Sequence, residues 1–358
     1  MTSKRLILFD GWSLLHHPDG LAAGHLLTLL TCQPEDVEVV LALPGEPPQW
    51  LAGKYNIVSQ SIKAGMRQRF IWEQQRLPGL AKEVHADLVH LCNATPALFT
   101  GARNLLSPVE VEEPARPTGV YSRLRQAFSA GGMSRLAGLV WPSDIPAPAG
   151  NTPVFRVDPV PPFTWHNADF DVPEDIQRLD LPETYVLCHA PGRRGGLVTL
   201  LEAYQWVAGS AGENYPLLIL GLDEVGRQQL ADLLADYSSR QFVRALLPIS
   251  TTSIPWLYRK CSVVFHPAPI APWGNPLRNA LAFGKPLVAG ETAQAGALVG
   301  PAAYLAPLDR PRELGAALLT VIVEEGLASQ LEGEGLQRAS AWQVEPYRQG
   351  LAEIYRKG

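Results

Sequence analysis

Cysteine is scarce in this chain of 358 residues, and the four present (Cys32, Cys92, Cys188 and Cys261) stand singly among apolar neighbours. No Cys-x-x-Cys pair or Cys/His zinc spacing occurs, so the expectation is buried thiols in a reducing compartment, not a metal centre. Positive charge is also short. Lys and Arg number 30 against 35 Asp and Glu, for a net charge of -5, which excludes the basic stripe that nucleic acid demands. No apolar run is long enough to span a bilayer, and the opening MTSKRLILFDGW passes from a charged pair straight into a strand instead of a secretory leader. A cytoplasmic protein is expected, with the inner membrane surface as a second place. There is no Gly-x-Gly-x-x-Gly fingerprint, no P-loop and no histidine cluster that requires a metal, so neither a cofactor nor a resident metal is expected.

What is present centres on Cys261 to Gly290, CSVVFHPAPIAPWGNPLRNALAFGKPLVAG. The β-branched run Val263, Val264, Phe265 stops at His266-Pro267, as a buried strand ends at a loop. A proline-rich loop with Gly274 follows. Pro276 then opens a helix in which Leu277, Ala280 and Leu281 recur at helical spacing. Gly284 closes that helix, Pro286 forbids its continuation, and Leu287 to Ala289 read as the next strand. In a parallel sheet, the loop from a strand's carboxyl end into a helix N-terminus is where a phosphate-bearing ligand sits.

Alternation of strand and helix continues on both sides. Toward the amino terminus, Arg5–Phe9 and Val37–Leu43 read as buried strands, and Asp10–Gly24 as a loop turning at Pro18-Asp19-Gly20 before a helix from about Leu21 to Leu30. His16 and His17 lie in that loop; they could handle protons near pH 7, though solvent-facing histidines are the commoner case. Asp87–Leu91 reads as a strand whose following loop, Cys92–Pro96, carries Asn93 and Thr95, either acceptor contacts or helix caps. Val109-Glu110-Val111-Glu112 alternates as a half-exposed strand does. Tyr121 to Arg135, with Arg123, Arg125 and Arg135, reads as a mildly basic amphipathic helix; it could touch an anionic lipid surface or a phosphorylated acceptor, or simply be a solvated face.

Prolines crowd the span from Pro142 to Pro182, the composition of a connection between domains. Beyond it, Tyr185–Cys188 reads as a strand and HAPGRRGG leads into a helix with Leu200, Leu201, Ala203 and Tyr204. Arg193 and Arg194 beside Gly192 make an anion site at that helix start, or are ordinary loop arginines. Trp342, Tyr347, Leu351, Ile354 and Tyr355 give the terminal helix an apolar stripe that core packing explains.

The segment around Gly274 resembles the group 1 glycosyltransferases of glycosyltransferase family 4, whose pattern there is P-S-x-x-E-G-F-G-x-P-x-x-E-A-M-A-x-G-x-P-V-V. Pro267, Trp273, Gly274, Pro276, Ala280, Ala282, Gly284, Pro286 and Val288 fall on matching or similar positions. Trp72 to Pro78, Ala86 to His90 and the LLEAY helix are similar to family segments as well. The resemblance implies an α/β protein of the GT-B fold, with two Rossmann-like doubly wound domains facing across a cleft and a C-terminal helix returning to the first. Its implied boundaries are 1–165 for the acceptor-side domain, 166–340 for the nucleotide-sugar domain and 341–358 for the returning helix.

It also implies a donor site of Gly192, Arg193, Arg194, Gly274, Asn275, Pro276, Leu277 and Asn279, and an acceptor side of Asp19, Gly20, Gly24 and Asn93. Three site segments depart from the family. Ala271 and Asn279 replace its paired glutamates, Glu112 and Glu113 replace a His-Asp pair, and Gly195 replaces a lysine. Two functions stand nearly even. One is a glycosyltransferase moving a sugar, with retention, from a nucleotide diphosphate to a glycan, lipid-linked or small acceptor. The other is an inactive relative that binds sugar nucleotide or glycan, or serves as structural partner of an active transferase. An epimerase or phosphorylase on the same fold is a weaker third.

Overall fold

The computed structural model describes residues 4–92, 96–97, 101–110, 120–160, 172–192 and 194–358. The chain divides into two compact units. The first comprises Met1–His17, His25–Val160 and Gln343–Gly358; the second comprises Pro18–Gly24 and Pro161–Trp342. The final segment thus belongs to the first unit, while residues 18–24, expected on the acceptor-side domain, belong to the second.

The first unit is built on a parallel sheet of seven strands: β1 (Arg5–Asp10), β2 (Val37–Leu43), β3 (Asn56–Ser59), β4 (Leu88–Cys92), β5 (Arg103–Ser107), β6 (Leu136–Pro142) and β7 (Val154–Val157), in the order β3-β2-β1-β4-β5-β6-β7. Leu8 pairs with Val40 on one side of the central strand and with Val89 on the other. Both faces of this strand are covered, so its sequence is a continuous apolar run and not an alternating one. The terminal helix, Val344–Lys357, packs here through Tyr347, Leu351, Ile354 and Tyr355, all buried. The Arg5 guanidinium donates to the Tyr355 carbonyl oxygen at 2.6 Å, and Arg103 donates to that of Gly358. Trp342 is not part of that stripe. It belongs to the second unit, where the Arg278 guanidinium lies 5.0 Å from its ring centroid.

Other expectations are corrected in this unit. A strand was expected over Val109–Glu112; Val109 and Glu110 are not in a strand and Val111 lies outside the described residues, while the strand before them is β5, Arg103–Ser107, and Pro108, which cannot donate to a ladder, follows its end directly. Glu112, Glu113 and Asn93 lie outside the described residues. His16 is not in an open loop. It ends a short helix, Trp12–His16, with Nε2 3.1 Å from the Ile62 carbonyl oxygen, and burial lowers its pKa. Arg125, expected on a solvated face, forms a two-pronged pair with buried Glu73 at 3.0 Å.

The second unit carries a parallel sheet of six strands: β8 (Val186–His189), β9 (Leu217–Leu220), β10 (Val243–Ala245), β11 (Val263–His266), β12 (Leu287–Glu291) and β13 (Tyr304–Pro307), in the order β10-β9-β8-β11-β12-β13. Its core joins Val186, Ile219 and Phe265 of the sheet to Leu200, Leu201 and Tyr204 of the Arg194–Ala211 helix and to Leu314 and Leu318 of the Pro311–Val323 helix. Helices cover both faces because parallel strands require crossovers. No single helix among the described residues is long and apolar enough to cross a membrane.

Candidate functional site

In the second sheet, β8 is followed on one side by β9 and β10, and on the other lies against β11. The strand order therefore reverses between β8 and β11. In doubly wound sheets the loops leaving the carboxyl ends of two such strands diverge to opposite faces, and ligands bind in the crevice between them. The loop after β8 leads into the Arg194–Ala211 helix, and the loop after β11 into the Asn275–Ala282 helix. Both segments singled out from the sequence thus stand at this switch point.

The first loop is sharply turned. Ala190 has φ +47° and Gly192 φ +90°, the former unusual for a residue with a side chain. Gly196 has no room for a methyl group, since a Cβ would sit 1.9 Å from the Pro191 carbonyl oxygen. Arg194 opens the helix and is exposed. Arg193 lies outside the described residues.

The second loop ends at Gly274 (φ +53°, ψ +34°), which caps the helix in the left-handed region. Its carbonyl oxygen accepts from the Arg278 amide at 2.9 Å, and its own amide donates to the Ala271 carbonyl oxygen at 2.8 Å. A Cβ there would lie 2.6 Å from Leu298 Cδ2, so glycine is required by both conformation and space. Arg278, missed in the sequence reading, is completely buried and donates from Nε to the Trp273 carbonyl oxygen at 2.7 Å, bracing the loop. Its only sequence signal is an arginine on an otherwise apolar helix face.

Ala271, Gly274, Asn275, Pro276, Leu277 and Asn279 are all buried. Ala271 offers neither charge nor hydrogen bond where the family resemblance implies a carboxylate. Asn279 lies alongside the Tyr258 hydroxyl, and neither atom of its amide has a hydrogen-bond partner of good geometry among the described residues. The Oδ1 of Asn275 and Nδ1 of His266 are likewise buried without one. Burial drives the His266 pKa down to about 4. Unsatisfied buried polar atoms are rare, and these four lie at the carboxyl end of β11 and in the helix that follows.

The Pro18–Gly24 segment is held against this edge. His189, the last residue of β8, has Nε2 2.8 Å from the Asp19 carbonyl oxygen and Nδ1 2.9 Å from the Tyr258 hydroxyl. The carbonyl can only accept, so Nε2 carries the proton and Tyr258 donates to Nδ1. Thr251 donates to the Pro18 carbonyl oxygen at 2.5 Å, and Asn275 Nδ2 reaches that of Leu21 at 3.4 Å. Asp19 is fully buried. The residues expected on the acceptor side, Asp19, Gly20 and Gly24, are therefore brought together with the donor-side helix. His189, Tyr258 and Thr251, which hold the segment in place, were not anticipated from the sequence; His189 was read as the first residue of the HAPGRRGG loop, whereas it is the last residue of β8.

A separate groove of about 600 Å³ opens at the carboxyl ends of β12 and β13. Its Glu291 and Asp309 carboxylates suit no diphosphate. Among the described residues no group of three or more His, Cys, Asp or Glu could hold a metal ion.

These features define an α/β protein of two parallel-sheet units, with the loops after β8 and β11 at the topological switch point of the second sheet. Residues 175–337, which lie in the second unit, match the family model of Glycosyl transferases group 1. Solved structures resemble the chain along nearly its whole length. A sucrose-phosphate synthase from Thermosynechococcus elongatus has TM-score 0.67 and 14% identity, covering 99% of both chains. WaaG, a glycosyltransferase involved in lipopolysaccharide biosynthesis, has TM-score 0.68 and 16% identity, covering 98% of this chain and 100% of its own. Anabaena Alr3699/HepE, solved in complex with UDP and glucose, has TM-score 0.66 and 17% identity, covering 99% and 100%. At such identities these likenesses show the fold alone. No curated protein matches by sequence.

Proposed function

We propose that the second unit binds a nucleotide diphosphate sugar at the start of the Arg194–Ala211 and Asn275–Ala282 helices and passes the sugar, with retention, to a glycan, lipid-linked or small acceptor. The observation that carries this reading is the placement of both helix starts at the β8/β11 switch point, within the residues that match the group 1 glycosyl transferase model. Unpaired helix amides and the aligned peptide dipoles favour an anion, and Arg193 and Arg194 add guanidinium forks that fit phosphate. Breaking the bond from the anomeric carbon to the diphosphate leaves negative charge on the diphosphate. These groups would stabilise it as it forms, without a metal. Gly274 and Asn275 would present backbone groups to the sugar, the Asn275 amide among them, Asn279 would offer its side-chain amide to the ribose, and Pro276 and Leu277 would supply the packing that fixes the helix start.

Because Ala271 to Leu281 are buried, the Pro18–Gly24 segment must yield as donor enters. HepE, with UDP and glucose in its crystals, makes UDP-sugars the first donors to try.

A second reading, binding without transfer, is favoured by Ala271, which supplies no carboxylate to support a cationic anomeric centre. Calorimetric titration with UDP-, GDP- and dTDP-sugars tests the site. Binding to one of them, weakened tenfold or more by Arg194→Ala, is expected (roughly the 1.5–3 kcal/mol of a charged hydrogen bond). Silence across the panel would contradict both readings. Slow hydrolysis of the bound donor then separates transferase from binding protein.

A further inference from the structure

The large apolar side chains exposed on the first unit are not scattered. Among the described residues of that unit they are Met66, Val120, Tyr121 and Leu124, with Val120 68% exposed. All four lie on two helices that pack together, Met66–Ile71 and Val120–Met133. Phe70 joins them, 5.1 Å from the Phe128 ring centroid and 6.5 Å from that of Tyr121. Tyr121, Leu124 and Phe128 follow helical spacing. At Phe128 this stripe is covered by Phe70; toward Val120 it runs out into solvent.

Along residues 61–82 and 120–135 the exposed charge is of one sign. Arg67 lies over the Tyr121 ring at 5.9 Å, and Lys63 and Arg123, like Arg67, are exposed. From residue 61 to 82 the single acid is Glu73, buried and matched by Arg69 and Arg125; from 120 to 135 there is none. A chain of net charge -5 therefore gathers uncompensated cations around its exposed apolar side chains.

We propose that this face docks the protein on an anionic lipid surface. Val120, Tyr121, Leu124 and Met66 enter the interfacial region while Lys63, Arg67 and Arg123 meet lipid phosphates. An apolar surface rimmed by cations fits a negatively charged bilayer better than it fits either a neutral bilayer or a small soluble anion, which needs no apolar side chains.

Flotation of the whole chain with phosphatidylcholine vesicles, with and without phosphatidylglycerol, tests the proposal. Capture by the anionic vesicles and its loss at high salt are expected. Arg67→Glu with Arg123→Glu should lower the partition by at least about fivefold per cation removed. Val120→Ser with Leu124→Ser should weaken it roughly tenfold or more. All four side chains are exposed, so unchanged far-UV circular dichroism and melting temperature are expected as a folding check. Equal capture by both vesicle types, capture unchanged in both double variants, or no capture would overturn the proposal. So would release by millimolar glycerol phosphate, which would point to a small-anion site. No sugar nucleotide is present, so the outcome is independent of donor binding.

Discussion

His90, on a central strand of the first unit, and Tyr355, on its last helix, are 265 positions apart in the chain and meet with Nδ1 2.8 Å from the hydroxyl oxygen. On the other side of the ring, Nε2 lies 2.9 Å from the Ser107 hydroxyl. Both ring nitrogens are satisfied without water, and the terminal segment is tied to the sheet. Tyr355→Phe leaves one of them unsatisfied, and urea unfolding should show a loss of about 1–3 kcal/mol. A loss below about 0.5 kcal/mol would mean that the hydrogen bond stabilises nothing.

Burial lowers the His90 pKa to about 3 and that of His266 to about 4. An unfolded histidine takes its proton near pH 6.5. Between these values the unfolded chain binds more protons than the native one, so stability falls as pH drops through the window. Denaturant melts at stepped pH should show the decline beginning near pH 6.5, and His90→Gln should flatten it.

Glu73 behaves oppositely. Burial would raise its pKa, but Arg69 at 2.6 Å and Arg125 at 3.0 Å more than offset this and hold it below the ordinary value. A depressed carboxylate contributes stability that is present above its unfolded pKa and lost as pH falls through the folded one. Glu73→Gln removes the carboxylate between the Arg69 and Arg125 guanidinium groups, of which Arg69 keeps Asp10 at 3.2 Å, and should cost about 3 kcal/mol at neutral pH, with the difference from the parent shrinking in acid. Thermal melts across the acid range would show this, and a constant difference would refute it.

The His189 clamp predicts a local effect. His189→Leu removes the donor to the Asp19 carbonyl oxygen, so hydrogen exchange in residues 18–24 should accelerate while the β8 and β9 amides stay protected. Exchange unchanged in that segment would show that Thr251 and Asn275 suffice.

All four cysteines are free and buried. Burial raises each thiol pKa, to about 11 for Cys32 and about 12 for Cys261. Because the thiolate is the reactive form, a chromogenic disulfide reagent should label none in the native protein and all four in denaturant.

Both sheets were largely legible because a parallel strand covered on two faces leaves a continuous apolar run, as in Arg5–Phe9 and Leu217–Leu220. Gly274 and Pro276 marked the helix start by turn chemistry that depends on local backbone alone. β5 was hidden because Arg103–Ser107 mixes polar and apolar residues, and Asn104 and Ser107 are buried only through neighbours distant in sequence. The pairing of Arg125 with Glu73 and the clamp from His189 to Asp19 were unreadable for the same reason. No periodicity records which side chains from separate segments will meet.

The most direct measurement is a crystal structure of the protein soaked with UDP. The account predicts the diphosphate at the start of the Arg194–Ala211 and Asn275–Ala282 helices, within hydrogen-bond distance of Arg194, with the ribose beside Asn279 and residues 18–24 shifted from Asn275. UDP bound elsewhere, or no density at a concentration that saturates calorimetric binding, would contradict it.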